Sequence, residues 1–158
     1  MTDLWSQASS EGDWWHLLDQ FSDDARRRIA TAVLEAVPRF IHPSFGELYS
    51  PQYVEGFNAV LAAASDEEMD LRGYSELSAR MMDLEDEERV YTLGAAGLSA
   101  AVLDFLESLK IRFDRDRTLE IILQSYEAVL QATSRRGEDT EHSTAMVEFQ
   151  REVIAREG

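Results

Sequence analysis

The chain contains no cysteine. Disulfides, thiolate metal sites and a cysteine nucleophile are thereby excluded, and the composition suits a reducing, cytoplasmic compartment. Proline (three) and glycine (eight) are sparse among the 158 residues, so little interrupts a periodicity that is helical almost throughout. Long apolar runs are also missing. The most apolar stretch, Val90 to Leu103, ends at Asp104 and falls short of the roughly 18 residues a membrane-spanning helix needs. The opening "MTDLWSQASSEGDWW" has no basic segment followed by an apolar one, so no secretory signal is expected. G-x-S-x-G, P-loop, H-E-x-x-H and dinucleotide-binding patterns are absent. Ser99 lies in "AGLSAA", but mid-helix and without the strand–turn–helix setting of a nucleophile elbow. The expectation is a protein that is not an enzyme, with no catalytic residue and no cofactor.

Acid is abundant. Fifteen Lys and Arg face 31 Asp and Glu, a formal charge of −16. Such a field repels nucleic-acid phosphates and anionic lipid and attracts basic proteins and cations. Half of the excess lies between Ser65 and Glu88, where ten acids accompany two arginines, a local charge of −8. Asp66, Glu67, Glu68, Asp70, Glu76, Asp83, Glu85, Asp86, Glu87 and Glu88 form this lobe. Tyr74 lies within it, Tyr91 follows it, and Tyr49 and Tyr53 precede it. Tyrosines among carboxylates suit a protein interface, and the acids with Tyr74 and Tyr91 are the candidate partner-binding set.

The periodicity and end signals predict an all-α, single-domain, bundle-like array of about six to eight helices over residues 1–158. Residues 1–12 are expected to be a flexible N-terminal segment. Asp13 is expected to cap a helix burying Trp14, Leu17, Leu18 and Phe21, with Trp15 off that stripe. Ser22 caps the next, with Asp23 and Asp24 at its positive end and Pro38 kinking it or ending it. "IHPSFGELYSPQY" reads as an irregular connection, and Ser50–Pro51 as a helix start. Ser65 with Glu68 forms an S-x-x-E box expected to open a further helical stretch, which Gly73 then interrupts. Residues 86–109 read as one central helix, apolar on more than one face, whose glycines and alanines imply close packing of neighbouring helices. Asp114 caps the next helix, Gly137 stops it, and a last helix starts at about Thr140.

Histidine offers an alternative function. Asp13-x-x-His16 and Asp139-x-x-His142 repeat the carboxylate–histidine spacing of metal-binding bundles. Together with His42, these histidines define a metal- or small-ligand-binding alternative. Asp86, Glu87 and Glu88 are explained by a helix start. A third alternative is a homo-oligomeric scaffold burying Trp15 and the tyrosines.

"RRIATAVLEAVPRFIHPSF" and "LGAAGLSAAVLDFLESLKI" resemble segments of a widespread bacterial all-α family of unassigned function. That family pairs a proline- and aromatic-containing helix end with an alanine-rich central helix, and some members occur beside toxins. The resemblance covers residues 26 to 132, and the chain also resembles the small acidic immunity proteins of bacterial toxin systems. It implies an antitoxin role: masking the active surface of a basic toxin domain by protein–protein contact, with no nucleic acid or membrane as partner. No functional residue is carried over from it.

Overall fold

The computed structural model describes residues 3–42, 44–88 and 94–158. Among them are nine helices and no strand: α1 (Leu4–Glu11), α2 (Trp14–Gln20), α3 (Asp23–Phe40), α4 (Phe45–Leu48), α5 (Pro51–Ala64), α6 (Leu71–Glu88), α7 (Ala95–Lys110), α8 (Arg115–Thr133) and α9 (Glu141–Glu157). The all-α expectation holds; the count exceeds six to eight because α1 and α4 were not anticipated.

Local chemistry sets most of the helix starts. The Ser22 hydroxyl accepts from the Ala25 N–H at 3.1 Å. Ser50 does the same for Tyr53 at 3.1 Å, ahead of Pro51, and Asp114 for Arg117 at 2.7 Å. Thr140 and Ser143 cap each other's backbone at 2.8 and 3.1 Å. Each bond satisfies an amide that the first turn would leave unpaired. Pro38 lies inside α3, two residues before the helix ends at Phe40.

Several expectations are corrected. Residues 1–12 contain α1, docked through the Trp5 indole N–H, which donates to Gln150 Oε1 of α9 at 2.9 Å; burial of Trp5 holds what composition left flexible. Ser65 does not open a helix. It ends α5, and Asp66 instead accepts the Glu68 N–H at 3.0 Å within a turn. Helix α6 begins at Leu71, where Asp70 accepts the Gly73 N–H at 2.9 Å, so Gly73 lies in its first turn rather than at a break. Asp13 adopts a left-handed conformation with no side-chain cap bond; its carboxylate is occupied by His16 Nδ1 at 2.7 Å.

The segment read as one helix over 86–109 is two. Helix α6 runs through Glu88 and α7 starts at Ala95, with 89–93 outside the described residues. Gly94, at φ +87°, is the N-cap of α7. Helix α7 packs on α8 and α6, and also touches α5 and α3. Its small residues permit close approach: a Cβ on Gly97 would lie 3.2 Å from the Ala128 backbone nitrogen of α8, and one on Gly94 2.7 Å from the Ala128 carbonyl oxygen. Glycine in a helix costs about 1 kcal/mol relative to alanine; here it lets two backbones touch. A continuous apolar core draws on all nine helices. Among the described residues no helix is long and apolar enough to cross a membrane.

Candidate functional site

The acidic lobe occupies the α5–α6 connection and α6. Helix α6 packs on α5 and α7 with Tyr74, Met81 and Glu88 turned inward, a seven-residue repeat that keeps one face buried. The opposite arc is open. Asp66, Glu67, Glu68, Asp70, Glu76, Asp83, Asp86 and Glu87 are exposed and Glu85 is half-buried. The two lobe arginines are already engaged: Arg72 pairs with Glu76 at 3.1 Å and Arg80 with Glu55 at 3.7 Å. Glu76, Arg80, Asp83 and Glu87 follow one another at i, i+4, i+7 and i+11, a stripe about 16 Å long on one helix face.

Two members of the predicted set leave this surface, Glu88 and Tyr74. Glu88 is 5% exposed and accepts the Ser50 N–H at 2.9 Å, which fixes the entry to α5. Tyr74 is buried. Tyr91 lies outside the described residues. Tyr49 and Tyr53 are also core rather than interface. The Tyr53 hydroxyl lies 2.7 Å from Ser99 Oγ, and burial drives its pKa upward, with the Ser99 bond opposing. Burial, then Tyr53 and Glu88, push the Tyr49 phenol up as well. Ser99 is thus a buried partner of a tyrosine. With Tyr126 buried too, the homo-oligomer alternative retains, among the described residues, Trp15, which is 41% exposed and has the Arg115 guanidinium 3.8 Å from its ring centre.

The histidines do not assemble as the metal alternative requires. His42 and His142 stack with ring centres 5.1 Å apart, whereas His16 is held by Asp13 on α2. Asp139 takes the Tyr126 hydroxyl at 2.6 Å and Ser143 Oγ at 2.9 Å. Among the described residues no three His, Asp or Glu side chains are grouped to hold a metal ion.

Beside the acidic stripe runs a groove of about 490 Å³ between α5 and α6. It is lined by Ala59, Ala62 and Ala63 of α5, by Gly73, Glu76, Leu77 and Arg80 of α6, and by Asp66 and Met69 of the connection between them. Sequence reasoning missed it. Its signal was the i, i+3, i+4 spacing of Ala59, Ala62 and Ala63, which sets small side chains along one face of α5.

The chain matches no protein-family model, and no curated protein or solved structure matches it significantly.

Proposed function

We propose that the chain is a bacterial, cytoplasmic binding protein of the immunity type, which neutralises a basic toxin domain by covering its active surface. The resemblance of its central segments supplies the class. The observation that carries the reading is the row of exposed carboxylates on α6 and the connection before it, whose two cations are engaged by neighbouring acids. A nuclease domain is a fitting partner, because a groove that holds phosphates must be positive. An inhibitor that fills such a groove with carboxylates needs no chemistry of its own, and its charge accelerates encounter.

The test is charge reversal at Glu76, Asp83 and Glu87, which are exposed, leaving the buried Glu88 alone. The binding partner for the test is the product of the adjacent gene. With that partner, Glu76→Lys/Asp83→Lys/Glu87→Lys should slow association by about tenfold or more and flatten its dependence on salt. Association and salt dependence unchanged by the reversal would remove the acidic face from the interface. Hydrolysis of a substrate by the chain alone would overturn the class.

A further inference from the structure

We infer that the groove between α5 and α6 is the seat of a short basic amphipathic helix of the partner, one apolar side chain entering the groove while flanking Lys or Arg side chains meet its rim. This rests on the reading of the acidic face as a binding surface and specifies which element of the partner it takes.

The groove exists because its α5 side carries only methyl groups. Ala59, Ala62 and Ala63 of α5 line it with Leu77 of α6, the Met69 sulfur covers Gly73, and Ala62 is exposed. Helix α5 lines it from Ala59 to Ala63 and α6 from Gly73 to Arg80, the longer span being about 10 Å or two turns. A leucine- or methionine-sized side chain laid along that floor removes alanine methyls from water, the favourable term in helix-in-groove recognition. The rim selects the charge of the occupant. Asp66, in the connection after α5, and Glu76, on α6, are exposed beside it. Glu76 pairs with Arg72 and Arg80 with Glu55, so Asp66 supplies the carboxylate at the rim that no cation among the described residues neutralises. Asp83 and Glu87 continue the α6 stripe beyond the groove and extend the negative field. Nucleic acid and anionic lipid are repelled by this field, and an acidic peptide would meet like charge there.

The test uses two labelled synthetic helices of equal positive charge. One carries leucines on a single face among lysines; in the other, alanines replace the leucines. Binding is read by fluorescence anisotropy and by amide chemical shifts of the chain. The leucine helix should bind about tenfold more tightly than the alanine helix, the effect of one anchoring side chain, and should shift the amides of Ala59, Ala62 and Leu77. Ala62→Phe, which fills the groove from an exposed position, should abolish that advantage while leaving the alanine helix unaffected. Glu76→Gln should weaken both helices. Equal binding of the two helices, or indifference of the leucine helix to Ala62→Phe, overturns the groove and leaves the acidic face standing. No binding of either helix overturns both.

Discussion

The Arg26 Nε–H donates to the Phe113 carbonyl oxygen at 2.6 Å, across 87 residues of sequence. The same guanidinium donates through Nη1 to the Leu18 and Phe21 carbonyls at 2.7 and 2.8 Å and through Nη2 to Asp23. One side chain, 6% exposed, therefore closes the C-terminal end of α2, the start of α3 and the α7–α8 connection. The planar five-donor fork of arginine suits this task and a lysine ammonium does not.

Arg26→Met should accordingly destabilise the fold by about 3 kcal/mol, since it removes charge-assisted bonds and leaves buried carbonyls unpaired. Arg26→Lys should recover only part of that. The check is the urea midpoint at unchanged m-value. An Arg26→Met protein as stable as the parent would mean that the carbonyls find other donors.

The contact of Gly97 with Ala128 opposes helix propensity. Gly97→Ala gains up to about 1 kcal/mol of intrinsic helicity, but its methyl would sit 3.2 Å from a backbone nitrogen and 3.4 Å from the Gln124 carbonyl oxygen, neither of which can turn aside. Net destabilisation of about 1–2 kcal/mol is expected, by overpacking. Gly94→Ala should be worse, because strain at positive φ adds to the clash. Thermal unfolding of both variants decides, and a higher melting temperature for Gly97→Ala would show that α7 and α8 can separate freely.

The Tyr53–Ser99 pair invites a double-mutant cycle. Ser99→Ala leaves a buried phenol without its partner, and Tyr53→Phe strands the serine; each should cost about 1–2 kcal/mol. The double variant should be less destabilised than the sum of the two, because removing both groups leaves nothing buried and unpaired. Strict additivity of the three unfolding free energies would show that the hydroxyls do not interact.

What could be read in advance follows a physical division. Caps at Ser22, Ser50, Asp114 and Thr140 involve a side-chain oxygen and an amide three residues on, so sequence alone exposes them. The exposed carboxylates of α6 were legible for the same local reason: a charged side chain stays wet unless a specific distant group draws it inward. Glu88 was misread because its partner, the Ser50 amide, lies 38 residues away, and Arg26 went unremarked because three of its four acceptors are backbone atoms with no sequence signature. The tyrosines are amphipathic, so tertiary packing decides between interface and core; Tyr49, Tyr53 and Tyr74 went inward. The boundary between α6 and α7 was masked by apolar periodicity running through Gly94, a residue tolerable within a helix but here used for its positive φ. The α5–α6 groove is a property of two helices, and alanine spacing on one could not reveal Gly73 and Leu77 on the other.

Acid content also leaves a mark on stability against pH. Burial, reinforced by Glu120 and Asp3, raises the pKa of Glu127 above the ordinary glutamate value. A carboxyl whose pKa is higher folded than unfolded binds its proton more tightly in the folded state. It therefore opposes folding when ionised above the raised value, and the penalty disappears as pH falls through that value toward the unfolded one. Glu127→Gln should stabilise the protein at neutral pH, with the gain shrinking on mild acidification. Asp23 and Glu157 have the opposite sign. Hydrogen bonds from Arg26 and Arg28 hold their pKa values down, so their contribution is complete above the ordinary carboxylate range and is lost only at more acid pH. Urea midpoints of the parent, Glu127→Gln and Asp23→Asn across a pH series separate the two effects. Glu127→Gln should converge on the parent on mild acidification, and Asp23→Asn only at the acid extreme. A Glu127→Gln gain that stayed constant down to the acid extreme would place the cause in packing rather than in ionisation.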